Sequence, residues 1–313
     1  MKGLELARAY YEAYGKPMLE EKFPHLLPKI AVGLVGSGSE CFGYDDEVSQ
    51  DHDFEPCFCL FLPGEDVVSR RDAFLLERAY AKLPDRYQSY KRSPLSPVGG
   101  NRHGVILLED FLREKTGHPQ GELSVGDWFR IPEQTLAEVS NGALFHDGAG
   151  DFTAIRDKLS YLPEAVRLKK LAGHLLTMGQ AGQYNYSRCI QRGETGAAQL
   201  AVIEFVKSAI HAVFLLNRVY LPYYKWQFRA LRELPRLGDL APVLEELISN
   251  GNDPERATQK HHSIQRICEA VMRELRNQNL SDYPGDEIDG YAYAINDLIR
   301  DSNLRNLHIL FGV

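Results

Sequence analysis

No apolar run in the chain reaches the length of a membrane span. The opening Met1-Lys2-Gly3-Leu4-Glu5 also lacks the charged-then-apolar order of a secretory leader, so a cytoplasmic protein is expected. Cysteine is sparse and odd in number: five residues, Cys41, Cys57, Cys59, Cys189 and Cys268, at scattered positions. That argues against a disulfide framework. Cys57-Phe58-Cys59 has no second Cys or His pair at zinc-ligand spacing, so both thiols are expected in the core. Basic excess is missing too. The net charge is −7, with residues 1–150 holding 16 Lys and Arg against 24 Asp and Glu, and residues 151–313 holding 20 against 19. A general nucleic-acid footprint is therefore absent, although a local patch remains open.

What is present is a small-residue turn followed by paired carboxylates. Ile30-Ala31-Val32-Gly33-Leu34-Val35 reads as a short buried strand that runs into Gly36-Ser37-Gly38-Ser39. Gly36 and Gly38 permit backbone angles closed to other residues, so amides can point at an anion, and Ser37 and Ser39 add hydroxyl donors. A short helix from about Ser39 to Gly43 would favour negative charge there as well. Twelve residues after Ser39 come Asp51-His52-Asp53, at the head of a strand expected over 51–62 and interrupted by Pro56. Residues i and i+2 share a strand face, so Asp51 and Asp53 project together, with Glu55 next on that side. Two carboxylates on one face suit a hard cation such as magnesium, which keeps waters and substrate phosphates in its other positions. The blander reading is a glycine turn beside a solvated acidic strand.

Apolar-Gly-Ser, about a dozen residues, then Asp-x-Asp on a strand resembles the nucleotidyltransferase superfamily of polymerase β, kanamycin nucleotidyltransferase and the minimal nucleotidyltransferases. Gly38-Ser39 and Asp51-x-Asp53 carry the match. The fuller string from Gly36 to Asp53 is similar to a bacterial branch whose members mostly lack an assigned substrate. The resemblance implies a third carboxylate on a following strand. Here the third strand candidate, Gly104 to Leu107, contains none: His103 precedes it, and Glu109 and Asp110 follow. His52 departs from the usual apolar residue between the aspartates. It is expected to point, hydrogen-bonded, into the sheet, with metal ligation as the other reading.

The expected fold class is α+β. A nucleotidyltransferase-type mixed sheet with flanking helices occupies residues 1–150, and an all-α helical bundle occupies 151–313. Helices are expected over 4–22, 67–83 and 109–115, with a last strand near 142–148. Residues 84–104, rich in Pro, Ser and Gly, read as a loop that is either a lid or a plain surface excursion. In the helical half, the apolar helix expected over 197–220 carries Glu204, Lys207, Ser208 and His211 at i, i+3, i+4 and i+7. That stripe either faces a cleft or pairs internally. Pro222 is expected to stop the helix, and the aromatic and cationic run Tyr223-Tyr224-Lys225-Trp226 follows it. These residues either stack a nucleotide or cap the bundle. Tyr184-Asn185-Tyr186-Ser187-Arg188 is a further cluster, lining an acceptor pocket or filling the core. Arg167 and His174 show an Arg-x6-His spacing seen in helical ribonucleases, though such pairs arise by chance.

By resemblance the protein is a nucleotidyltransferase. Asp51 and Asp53 hold two magnesium ions, Gly36 to Ser39 hold the phosphates of ATP, Glu204 is the base, and Lys207 and Lys225 contact phosphate. The expected reaction moves AMP to a small-molecule hydroxyl. Rival readings are transfer to a tRNA end or a protein side chain, and a non-catalytic, antitoxin-like nucleotide-binding module.

Overall fold

A computed structural model of the chain describes residues 1–48, 54–92 and 103–313, which form many helices and one small mixed sheet. Contacts divide it into two compact units, Met1–Asp127 with Ile131–Ser160, and Trp128–Arg130 with Tyr161–Val313. The division thus falls after Ser160 rather than after 150. The reason is the helix Asp151–Lys158, whose Phe152 packs against Phe61 and Phe111 with ring centroids 4.8 and 5.8 Å away.

The strands are β1 (Ala31–Leu34), β2 (Cys59–Leu62), the short hairpin β3 (Arg86–Tyr87) and β4 (Tyr90–Lys91), β5 (Gly104–Leu107) and β6 (Ala143–Asp147). Four of them form a sheet in the order β5-β2-β1-β6. β1 is antiparallel to β2 and to β6, while β2 is parallel to β5. Both faces of β2 are covered, as its unbroken apolar run demands. Phe58, Leu60 and Leu62 join Tyr10, Tyr11, Leu76 and Tyr80 in one core cluster. Phe61 turns the other way, onto Phe111 and Phe152. The strand expected from 51 starts, among the described residues, only at Cys59. Phe54 to Phe58 are irregular, and Pro56, lacking an amide hydrogen, has no donor for a ladder. The expected first helix is present as Gly3–Tyr10 and Lys16–Lys22, joined through a wide turn at Tyr11–Gly15. The β3–β4 hairpin was hidden because two-residue strands show no period and its turn uses Gln88 at a left-handed φ of 55°.

The second unit is built around Glu164–Met178, which packs against both Thr195–Asn217 and Ile288–Asp297. By length and composition alone Thr195–Asn217 could cross a membrane, but most of it is buried inside this structure. It stops at Arg218, in a left-handed conformation, four residues before Pro222. Asn217 accounts for the early stop: its side-chain amide donates to the carbonyls of Val213 and Arg236, at 2.8 and 2.9 Å, in place of another helical turn. Buried cations here are partnered, as burial requires. Lys169 Nζ donates to Asn296 Oδ1 and to the carbonyls of Arg305 and Leu307 at 2.7–3.2 Å. Lys260 Nζ likewise meets Gln199 Oε1, Asn250 O and Asn252 Oδ1.

Candidate functional site

Strand direction brings several segments to one edge of the sheet. Because β1 opposes β2 and β6 while β2 and β5 run together, the C-terminal end of β1 meets the N-terminal ends of the other three. The Gly36–Ser39 turn follows β1, Glu55 precedes β2, His103 immediately precedes β5, and Asn141-Gly142 precede β6. Glu109 and Asp110 begin the helix after β5 and so belong to the opposite edge, where Asp110 pairs with Arg113. Neither supplies a third carboxylate at this edge.

The turn has the conformation its glycines suggested. Gly36 and Gly38 have φ of 108° and 128°, and the helix Ser39–Phe42 follows. Ser37 is exposed, while Gly38 and Ser39 are half-buried. Gly36 differs from the expectation in one respect: its amide donates to Asn141 Oδ1 at 2.9 Å, and its carbonyl accepts from Asn141 Nδ2 at 2.8 Å. That amide is therefore committed to the fold. Asn141 is held in turn by the Arg156 guanidinium, which donates to the carbonyls of Ser140 and Asn141 at 2.8 and 2.5 Å. Asn141 escaped the sequence reading because it lies 105 residues from its partner. Asp45, buried just past the short helix, was also missed. Its Oδ2 accepts from Gly3 N at 2.8 Å and so fastens the first helix to this region.

Asp51, His52 and Asp53 lie outside the described residues. Glu55 is described, and it is paired: its Oε1 lies 2.8 Å from His103 Nε2, with side chains 7% and 16% exposed. Among the described residues no three His, Cys, Asp or Glu side chains converge on a common point. Cys57 and Cys59 are buried and in no disulfide, as expected, and burial pushes the Cys57 thiol well up, which suits a core residue rather than a metal ligand.

In the second unit the expected polar stripe divides. Glu204 and Lys207 are exposed and form an i,i+3 ion pair at 3.3 Å, while Ser208 is buried. His211 stacks on His174, with ring centroids 4.3 Å apart and planes 14° from parallel. Arg167 is fully buried and bonded to Glu164 and to Leu215 O, so the Arg167–His174 spacing serves packing rather than a ribonuclease site. Burial, the His211 imidazole and the Lys170 ammonium hold His174 well below the ordinary imidazole value. In the unfolded chain it returns to about 6.5. Below that pH the unfolded state binds more protons, so this contribution to stability is present above it and is lost as the pH falls toward the depressed native value. Urea melts from pH 8 to 5 are expected to show the loss and His174→Phe to flatten it; an unchanged slope in the variant would assign the acid sensitivity elsewhere.

Past Asn217, Tyr220 and Leu221 are buried, whereas Tyr223, Tyr224 and Lys225 are exposed. Lys225 Nζ and the Arg229 guanidinium lie 5.0 and 5.7 Å from the Trp226 ring. Tyr184 carries the Arg188 guanidinium 4.6 Å over its ring. It also borders a hollow of about 170 Å³ shared with Gly179, Gln180, Gln183, Glu287 and Asp289.

Residues 128–227 match a family model described as "Domain of unknown function (DUF4037)". That stretch reaches from the approach to β6 to the aromatic and cationic run and leaves out the Gly36–Ser39 turn. A search of curated proteins finds no match.

Proposed function

We propose that the chain is a magnesium-dependent nucleotidyltransferase that moves AMP from ATP to the hydroxyl of a small molecule and releases pyrophosphate. The observation that carries this reading is the shared sheet edge, where the glycine-serine turn after β1 meets the chain entering β2 and the Glu55–His103 pair. The Gly-Ser and Asp-x-Asp pattern of the sequence supports the same reading. The residue types fit the group: carboxylates at Asp51 and Asp53 would offer hard oxygens to a divalent cation, and Ser37 is exposed.

In this reading Asp51 and Asp53 hold the metal, and Ser37, Gly38 and Ser39 hold the β- and γ-phosphates. Bound magnesium would neutralise triphosphate charge and align an in-line displacement. The acceptor oxygen attacks the α-phosphorus, the bond to the bridging oxygen breaks, and pyrophosphate departs. The resemblance would give the acceptor proton to Glu204 and phosphate contacts to Lys207 and Lys225. Five cysteines outside any disulfide support a reducing, cytoplasmic setting.

The test is incubation with each α-labelled nucleoside triphosphate, magnesium and a cell extract. Label from ATP is expected in the low-mass fraction with matching pyrophosphate. Label confined to RNA or protein would replace the small acceptor by a macromolecule, and ATP binding without pyrophosphate release would favour the non-catalytic module. Glu204→Gln is expected to lower turnover by about 10²- to 10⁴-fold, the usual worth of a general base. Undiminished turnover in that variant removes Glu204 from the mechanism.

A further inference from the structure

Along and beyond the apolar helix Thr195–Asn217 the charge of the chain changes sign. From Phe205 to Arg232 it carries Lys207, Arg218, Lys225, Arg229 and Arg232 and no Asp or Glu, although the whole chain has a net charge of −7. Three of these cations are used within the fold: Lys207 pairs with Glu204, Arg218 with Glu164, and Arg232 with Glu245. The other two lie against one aromatic ring, Lys225 Nζ at 5.0 Å and the Arg229 guanidinium at 5.7 Å from the centre of Trp226. An anchored backbone presents them. Tyr220, Leu221 and Pro222 are buried, the single turn Tyr224–Trp226 follows, and Gln227 Nε2 donates to the Pro222 carbonyl at 3.3 Å across that turn. Tyr223 and Tyr224 stand outside the anchor, 43% and 70% exposed, with ring centroids 4.4 Å apart and planes tilted by 48°. Much of both rings is therefore left to water, beside positive charge.

We propose that Tyr223 to Arg229 form a docking surface for single-stranded nucleic acid, whose bases stack on the two tyrosine rings and whose phosphates meet Lys225 and Arg229. The chemistry selects this occupant. A single strand alternates flat π faces with phosphate charge, and rings interleaved with cations match both at once; an acidic peptide brings the charge without the faces. A lone nucleotide covers one ring and leaves the other bare, while a duplex keeps its bases stacked inside and has no face to offer. The acidic balance of the rest of the chain confines the contact to this patch, so about two phosphates are engaged rather than a long track. The inference goes beyond the transferase reading and does not depend on it.

The experiment follows the fluorescence anisotropy of a labelled single-stranded RNA of about 12 nucleotides, long enough to cover a site of this kind, as the full-length chain is added without ATP or magnesium. Saturable binding is expected, with the duplex of the same sequence bound at least tenfold more weakly. Two phosphate contacts on a single strand give log affinity a slope of about −1.4 against log salt, so a rise from about 50 to 200 mM salt is expected to weaken binding about sevenfold. Lys225→Gln is expected to halve that slope. Tyr224→Ala is expected to weaken binding by about 10- to 100-fold, the worth of one stacked base, and Tyr224→Phe, which keeps the ring, to bind as the native protein does. Absence of saturable binding by the unmodified protein would overturn the proposal without recourse to any variant. Equal affinity for strand and duplex, or native affinity in a folded Tyr224→Ala protein, would overturn it as well. If ATP displaces the strand and Tyr224→Ala costs ATP as much affinity as it costs the strand, the occupant is a free nucleotide and the proposal falls. Strand binding by a chain that transfers no nucleotide would remove the transferase reading alone.

Discussion

Asp53→Asn is expected to lower ATP-dependent nucleotidyl transfer by about 10³-fold with the fold intact. The magnitude follows from the role proposed for the carboxylate. A metal-held triphosphate owes several kcal/mol of its transition-state stabilisation to the ion, and each ~1.4 kcal/mol is a factor of ten in rate. Asparagine keeps the side-chain shape and one oxygen but removes the charge, so it is a stringent substitution. Pyrophosphate release gives the rate, and far-ultraviolet circular dichroism with a urea midpoint shows whether the variant is folded. Asp53→Asn with native turnover would end the metal-dependent reading. Loss in Asp53→Asn with full activity in Glu204→Gln would keep the donor half and send the search for a base elsewhere.

Gly142→Ala is expected to be the most destabilising single change at the candidate site, by about 3 kcal/mol or more. Gly142 has φ of 58°, and a Cβ there would lie 2.0 Å from the Leu34 carbonyl oxygen, at the point where β1 pairs with β6. An alanine in left-handed backbone already costs roughly 1–2 kcal/mol. The clash is with main chain rather than with a flexible side chain, so it is relieved only by parting β1 from β6. Because Asn141 precedes Gly142 and clasps Gly36, that parting also displaces the turn. A lowered urea midpoint at unchanged slope, together with weaker ATP binding, is the expected pair of readouts. An unfolding free energy within about 0.5 kcal/mol of the native protein's would show that the sheet edge yields far more easily than its geometry indicates.

Much of the first unit was legible because its signals are local. β1 and β5 declare themselves as short apolar runs, and the Gly36 turn by residues whose positive φ the structure displays. The helix expected over 67–83 is present as Arg70–Ala81, its start set by Ser69, whose hydroxyl donates to Asp72 and accepts from the amide of Asp72. What stayed hidden depends on distant partners. No local pattern reveals that Asn141 clasps Gly36, or that His103 pairs with Glu55 across 48 positions of chain. Strand direction, which sets Glu109 and Asp110 at the far edge, is equally hidden from local pattern. The stripe from Glu204 to His211 shows the reverse fault. Helical spacing grouped four polar residues correctly on paper, but a stripe spanning seven positions is wide enough for one end to meet solvent and the other a neighbouring imidazole.

Lys169 carries a consequence for how the second unit is made. Its ammonium is enclosed by acceptors at Asn296, Arg305 and Leu307, the farthest of them 138 positions later in the chain. On the ribosome the helix Glu164–Met178 emerges with this charge and must wait for those acceptors. Until they arrive, closing the core would strand an unpaired cation, at a cost far above that of leaving it wet. The first unit is free to fold during synthesis, whereas the second is expected to close only after residue 307 has left the exit tunnel.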